Sequence, residues 1–305
     1  MKNILVIGSS NTDMIIKVAR IPRPGETVLG GEFSMAAGGK GANQAVAAAR
    51  AGGHVTFVAR VGEDLFGDQA LRNFEADKID VRFVVRDGRA ASGVALINVG
   101  EDGENSISVA SGANAFLAPE DVRQAEKAFD GADIVLMQLE TPLETVMAAA
   151  KIAGRRGIPV LLNPAPARPL DDGLLRNVSI LTPNETEAEI LTGIAVKAIP
   201  DAEKAAGTLR RRGPRTTVIT LGERGCYAAG DEFEGMIPAF KVRPVDSTAA
   251  GDVFSGALAV ALAEKRPLPD ALRFASAAAA LSVTKLGAQP SAPTRAEIEK
   301  FLQQS

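Results

Sequence analysis

The stretch D-I-V-L-M-Q-L-E-T-P-L-E-T-V-M-A-A-A-K-I-A-G-R-R-G-I-P-V-L-L-N, residues 133 to 163, decides the fold class. It opens on a short apolar run at 133–139, passes through helical patterning at 142–156 and closes on a second apolar run at 158–163. Short unbroken apolar runs read as strands buried on both faces, and a helix joining two of them makes the strands parallel. The same alternation extends outward. I-L-V-I-G (4–8), V-T-F-V-A-R-V-G (55–62), S-I-L-T (179–182) and T-V-I-T-L-G (217–222) read as further strands, and 41–51, 67–77, 119–129, 184–192 and 201–212 as helices. Pro119-Glu120-Asp121 suits a helix first turn, and Gly193 and Gly213 suit helix ends. The pattern predicts an α/β fold, a three-layer sandwich with a mostly parallel central sheet flanked by helices.

Residues 12–36 and 92–110 break the alternation. The first holds M-I-I-K-V-A, the turn-rich I-P-R-P-G-E-T and V-L-G-G-E-F. The second is a hairpin, G-V-A-L-I-N-V and S-I-S-V-A joined by G-E-D-G-E-N. They predict a small β-sheet lid beside a core made of 1–11, 37–91 and 111–305. So thin a layer cannot bury both faces alone, and a homodimer through it is expected. Beyond residue 250 the chain turns helical and rich in Ala and Gly, suited to close helix packing.

Composition limits the chemistry. The 305 residues hold 34 basic and 37 acidic side chains, a net charge of −3, with no basic excess for a nucleic-acid partner. R-R-R at 210–212 reads as a solvated helix end. No apolar run approaches a membrane span or a signal peptide, so a cytoplasmic protein is expected, with no membrane partner. One Cys, Cys226, and one His, His54, exclude an internal disulfide and leave no Cys/His zinc cluster or Ser-His-Asp triad. His54 falls at a helix-to-strand turn. Any chemistry therefore rests mainly on Asp, Glu, Lys, Arg, Asn and backbone groups.

Neither a P-loop nor the dinucleotide pattern G-x-G-x-x-G is present. D-S-T-A-A-G-D-V-F-S-G-A (246–257) instead places Asp252 at the mouth of a long helix, where free N–H groups and the positive helix end form an anion site. An acid there also serves as a cap or dipole partner, and an isolated G-D leaves both readings open. A-G-G-K-G-A-N-Q-A (37–45) opens another helix with Lys40 and Asn43, and reads equally as a plain glycine turn. Asn11, Asp13, Glu140, Asn184, Glu187, Thr220 and Gly222 fall at or just beyond strand ends, where open α/β sheets bind ligands.

G-G-K-G-A-N-Q-A, D-S-T-A-A-G-D-V-F-S-G-A and T-P-N-E-T-E-A-E, with M-Q-L-E-T-P-L-E, L-N-P-A-P-A-R and K-L-G-A-Q-P-S, together resemble the ribokinase family of carbohydrate kinases over essentially the whole chain. The resemblance implies a ribokinase-like fold and ATP-dependent phosphorylation of D-ribose at O5. It makes Asp252 the general base and the backbone of Ala249, Ala250 and Gly251 the anion hole. Asn11, Asp13, Gly39, Lys40, Asn43, Glu140 and Asp252 match the sugar-binding positions. Asn184, Thr220, Leu221, Gly222, Glu223, Arg224, Gly225, Gly251 and Ser276 match the ATP-binding ones. Glu187 would organise Mg²⁺ through water, and Asp246, Thr248, Ser282, Lys285, Gly287 and Ser291 would surround a monovalent cation, K⁺. For Ser282 and Ser291, helix capping or a turn is the competing reading. The chain departs from the family at Ser276, where a histidine beside adenine is common, and at Ser247, Val253 and Ser255. The alternatives are a kinase of the same family for deoxyribose, another sugar or a nucleoside, and a non-catalytic sugar or nucleotide sensor. One Tyr and no Trp give little surface for stacking a base, and a sensor has no need of Asp252.

Overall fold

A computed structural model describes residues 2–304. In chain order the strands are β1 (Asn3–Ile7), β2 (Asn11–Val18), β3 (Glu32–Gly38), β4 (His54–Gly62), β5 (Asp80–Asp87), β6 (Gly93–Gly100), β7 (Asn105–Ala110), β8 (Ile134–Met137), β9 (Val160–Leu162), β10 (Ile180–Leu181), β11 (Thr216–Thr220), β12 (Cys226–Ala229) and β13 (Glu234–Ile237). The helices are α1 (Lys40–Arg50), α2 (Leu65–Ala76), α3 (Pro119–Gln124), α4 (Leu143–Arg155), α5 (Asp172–Leu175), α6 (Glu185–Thr192), α7 (Ile199–Arg211), α8 (Ala250–Ala263), α9 (Leu268–Ser282) and α10 (Arg295–Gln303).

Nine strands form the main sheet in the order β13-β12-β11-β10-β9-β8-β1-β4-β5. It is parallel from β11 to β5, and β12 and β13 add an antiparallel edge. The 133–163 stretch is β8, α4 and β9, with β8 paired parallel to β9. The central strands are apolar along their whole length because helices cover both faces. Ile4, Val6, Leu136 and Leu161 pack with α1, α8 and α9 on one face, and Leu5, Ile7, Val135 and Leu162 pack with α4 on the other. The Ala-rich helices lie close. Gly256 of α8 faces the α1 backbone so tightly that an added Cβ would stand 2.7 Å from the Gln44 carbonyl oxygen.

The second sheet has four strands, β3-β2-β6-β7. The hairpin expected at 92–110 is β6 and β7, paired antiparallel. Pairing of β2 with both β3 and β6 puts Ile16, Phe33, Met35 and Leu96 on one face and Asn11, Asp13, Ala95 and Ile97 on the other. The polar signals also hold in place. Gly193 ends α6 in the left-handed conformation, and the Asp121 carboxylate accepts from the Ala118 N–H at the start of α3. The arginine run is more engaged than a solvated end. Arg212 donates to Asp172 and to the carbonyls of Leu191 and Leu170, and Arg210 pairs with Asp231. Among the described residues, no helix is long and apolar enough to cross a membrane.

Candidate active site

A cavity of about 350 Å³ lies at the carboxyl ends of the parallel strands, between them and the second sheet. Asn11, Asp13, Gly39, Lys40, Asn43 and Glu140 line one part. Asn184, Glu187, Thr220, Thr248 and the 249–252 helix start line the other. Residues far apart in sequence thus share one wall because strand ends converge.

Asp252 sits in the first turn of α8 and is 5% exposed. Its Oδ2 accepts from Asn43 Nδ2 at 3.0 Å and its Oδ1 from Gln44 Nε2 at 2.9 Å. Burial pushes its pKa up and outweighs Lys40, Gln44 and Asn43, which hold it down, while Glu140 adds to the rise. Ala249 precedes the helix at φ 60, a left-handed conformation uncommon for a residue with a Cβ. Such strain concentrates at functional sites. A Cβ built on Gly251 would meet nothing within 4 Å, so the helix mouth opens to the cavity. The Ala250 N–H donates to the Ser247 carbonyl at 3.2 Å, and the positive helix end with its open access offers a place that suits an oxyanion.

On the sugar side of the expected site, Glu140 Oε2 accepts from Ser9 Oγ at 2.5 Å and from the Lys40 backbone N–H at 2.9 Å. Arg168 Nη2 donates to the carbonyls of Leu139 and Thr141 and so grips the chain on both sides of Glu140. Asn11 Oδ1 accepts from Asn114 Nδ2 at 2.7 Å, and Asn114 is anchored to both backbone groups of Ser10. Gly38 makes room for Asp13, since a Cβ there would lie 2.3 Å from Asp13 Oδ2. Burial, and then repulsion from Glu140, raise the Asp13 pKa to about 6. Burial opposes the Lys40 charge, but Asp252, Glu140 and Glu187 outweigh it and its pKa is raised. The buried Asn43 Oδ1 has no hydrogen-bond partner, an acceptor turned toward a donor the protein does not supply.

On the other side, Asn184 and Glu187 cap α6 reciprocally. The Glu187 N–H donates to Asn184 Oδ1 and the Asn184 N–H to Glu187 Oε2, both at 2.8 Å. Burial lifts the Glu187 pKa against the pull of Asn184 and Lys40. Gly222 to Arg224 form a short turn after β11, and Gly225 follows at φ 98. Arg224 pairs with Glu185 and donates to the Lys197 carbonyl. Leu221 is buried against Ile219 and Tyr227. Leu221, Gly222, Glu223, Arg224, Gly225 and Ser276 are outside the cavity lining, and Ser276 is buried beside Cys226.

The residues expected around a monovalent cation gather next to the helix start. The Asp246 carboxylate accepts from the N–H groups of Thr248 and Gly287 at 2.9 and 2.8 Å, joining the two loops. Those donors hold its pKa low although burial acts the other way. Ser282 donates to the Ala279 carbonyl, Ser291 to the Ala288 carbonyl, and Lys285 pairs with Glu297. Their side chains are committed elsewhere, so it is loop carbonyls that could face a cation. Among the described residues, no group of three or more His, Cys, Asp or Glu could hold a metal ion.

Sequence reasoning missed Ser9, Gln44, Asn114 and Arg168, which hold the lining residues, Gln138, which holds Gln44, and Asn163, Thr182 and Ser255, which line the cavity themselves. Asn163 and Thr182 directly follow β9 and β10, so the strand-end rule that found Glu140 and Asn184 reaches them as well.

The chain has close relatives. Residues 1–295 match the pfkB family carbohydrate kinase. It is 46% identical over 302 residues to ribokinase from Haemophilus influenzae, covering 99% of both chains. It is 39% identical over 301 residues to deoxyribokinase from Salmonella typhi, covering 98% of each. Ribokinase from Arabidopsis thaliana, solved in complex with ribose and ATP, superposes with a TM-score of 0.94 at 33% identity over 100% of both chains. The strand-end cavity and the helix-mouth aspartate therefore sit in a chain that belongs to the pfkB family of carbohydrate kinases.

Proposed function

We propose that this enzyme transfers the γ-phosphoryl group of ATP to O5 of D-ribose. The observation that carries the proposal is the placement of a buried, hydrogen-bonded Asp252 in the first turn of a helix whose open N-terminus faces the same cavity. Asn11, Asp13, Gly39, Lys40, Asn43 and Glu140 offer directional donors and acceptors for sugar hydroxyls, including the unpartnered Asn43 Oδ1. Asp252 removes the proton from the O5 hydroxyl as that oxygen attacks the γ-phosphorus. The N–H groups at 249–251 stabilise charge on the transferring group, and the O–P bond to ADP breaks. Positioning and electrostatics carry most of this chemistry.

The adenylate lies toward Asn184, Thr220 and the 221–225 turn, with Ser276 behind it. Glu187, whose Oε2 is tied to the Asn184 N–H but which still lines the cavity, fits a Mg²⁺ held through water. When bound, Mg²⁺ neutralises phosphate charge. The carbonyls of the 246–248 and 285–291 loops, which Asp246 ties together, would hold K⁺ and supply it with oxygen ligands.

The second sheet serves as a lid, and its outer face pairs with a second copy. Ile16, Phe33, Met35 and Leu96 are 40%, 61%, 59% and 53% exposed there, an apolar patch that a homodimer covers.

Purified protein is expected to release ADP with D-ribose, ATP and Mg²⁺, and Asp252→Asn to lose about 100- to 10,000-fold in kcat while still binding ribose. Near-wild-type turnover of Asp252→Asn sinks the proposal. A deoxyribose kinase is the second reading, favoured by the 39% identity to a deoxyribokinase. Comparing kcat/KM for the two sugars separates them.

A further inference from the structure

Behind Asp252 lies a chain of buried amides that the catalytic reading above does not use. Gln44 is fully buried in α1, and its Nε2 donates both to Asp252 Oδ1 at 2.9 Å and to Asn163 Oδ1 at 3.1 Å. Its Oε1 accepts from Gln138 Nε2 at 2.6 Å. Asn163 Nδ2 in turn donates to the Thr182 backbone carbonyl at 2.9 Å.

The direction of this chain is forced. A backbone carbonyl can only accept, so Asn163 must turn Nδ2 to Thr182 and Oδ1 to Gln44. Gln44 must then present Nε2 to Asn163, which also turns Nε2 to Asp252. Gln138 closes the last freedom by donating to Gln44 Oε1. A flipped Gln44 amide would set an oxygen against the acceptors Asp252 and Asn163, and an N–H group against the donor Gln138. Each misfit would strand further buried polar groups besides Gln138 Oε1, which has no partner in the chain as it stands. Gln138 reaches this place because residue 8 is glycine. A Cβ there would stand 2.1 Å from Gln138 Oε1.

We propose that Gln44, polarised by Asn163 and Gln138, is a positioning residue that locks the Asp252 carboxylate in orientation and keeps its Oδ1 an acceptor, so that the substrate proton is delivered to Oδ2. This rests on the reading of Asp252 as the base. Oδ1 faces the amide chain, whereas Oδ2 lies beside Asn43, which lines the cavity. The O–H bond of the sugar hydroxyl breaks as its oxygen bonds to the γ-phosphorus, and the proton goes to Oδ2. The charged groups around the carboxylate are Lys40 at the start of α1, Glu140 beyond β8 and Glu187 in α6. Lys40 favours the ionised form and the two glutamates oppose it. Burial raises the Asp252 pKa, and the Gln44 donor is one of the groups that oppose that rise.

The test is the pH profile of Gln44→Met, which keeps the side-chain length and removes the donor. Kcat is expected to fall roughly 10- to 100-fold. The acidic limb of kcat/KM should move up by about one pH unit, because a base that has lost a donor holds its proton more tightly. Ribose KM, which reports the cavity-lining residues, should change less than about twofold. Gln138→Met, one amide further from the carboxylate, is expected to give the same limb shift with a smaller kcat loss, and it decides the matter if Gln44→Met does not fold. An unshifted limb in a folded variant, or a rise in KM without loss of kcat, overturns the proposal. Asp252→Asn run alongside separates the readings. If it is inactive while Gln44→Met is normal, the amide chain has no such role. If it is active, the base itself is misassigned.

Discussion

Gly251→Ala and Gly39→Ala add the same methyl group to two glycines of the cavity wall, and the structure predicts opposite consequences for stability. At Gly251 the new Cβ meets nothing within 4 Å, and the residue lies in the first turn of α8. Alanine there restricts the unfolded chain without strain and should stabilise by about 0.4–1 kcal/mol. For 305 residues that corresponds to a rise in Tm of roughly 1 °C. The methyl group nevertheless occupies the space where a phosphoryl oxygen would approach the helix N–H groups. Losing one oxyanion contact costs about 100- to 1,000-fold in kcat. At Gly39, φ is 87, and the Cβ would lie 2.6 Å from the Asn11 nitrogen and 2.9 Å from Ser10 Cα. Those are backbone atoms that cannot swing aside, so the protein should lose about 1–3 kcal/mol. Calorimetry gives both Tm values, and coupled ADP release gives both rates. A Gly251→Ala enzyme with unchanged kcat would refute the placement of the phosphoryl group at the helix mouth. A Gly251→Ala Tm that falls as far as that of Gly39→Ala would refute the claim of open space.

Asp13 has its pKa raised to about 6, so the folded protein binds this proton more tightly than the unfolded chain does. Its contribution to stability is present below about pH 4 and is lost as pH rises through 6. Asp13→Asn should therefore raise the Tm of ligand-free protein at pH 8 and not at pH 4, while weakening ribose binding. Equal shifts at both pH values would contradict this. Phe33→Asp puts a charge in the exposed apolar face of the second sheet, and light scattering should then report monomer where the parent chain reports dimer. Arg168→Ala releases the carbonyls of Leu139 and Thr141 on either side of Glu140, and ribose KM should rise about tenfold, at a cost of about 1.4 kcal/mol. An unchanged KM would mean that Glu140 holds its place without that grip.

The fold was legible where burial dictates composition. β1, β8 and β9 lie deep in the sheet and are apolar almost throughout, and β4 keeps an apolar majority around Arg60. β5, D-V-R-F-V-V-R-D, escaped notice because it is an edge strand that pairs only with β4 and mixes Arg and Asp with Val and Phe. β12 and β13 escaped for another reason. C-Y-A-A and E-G-M-I are too short and too poor in β-branched residues to give a strand signal; the β11 ladder holds β12, and β12 in turn holds β13. In the site, the polar residues that touch the cavity, apart from Ser255 inside α8, carried local signals, such as a glycine turn, a helix mouth or a polar strand end. The residues that hold them did not. Asn114 stands in a short turn 104 positions from Ser10, and Gln44 and Gln138 read as interior helix and strand positions. A buried amide is recognised by its partners, and those are set by three-dimensional packing.

The raised pKa values of Asp13, Glu187 and Asp252 arise from burial and mutual repulsion. Together with Glu140 these acids crowd one cavity, and Lys40 is the one Lys or Arg in its lining among the described residues. So acidic a wall suits sugar hydroxyls, which donate to carboxylates, and repels a polyphosphate. ATP can share it only where that charge is offset. In the function proposed above, Lys40, the α8 N-terminus and a divalent cation held by Glu187 would supply that offset. Asp252 stands at the boundary between the two regions. As the proposed base, it needs enough negative surroundings to remain a willing proton acceptor and enough donors to stay ionised. Asn43 and Gln44 provide those donors without adding charge, which a second lysine could not do without binding the phosphate itself.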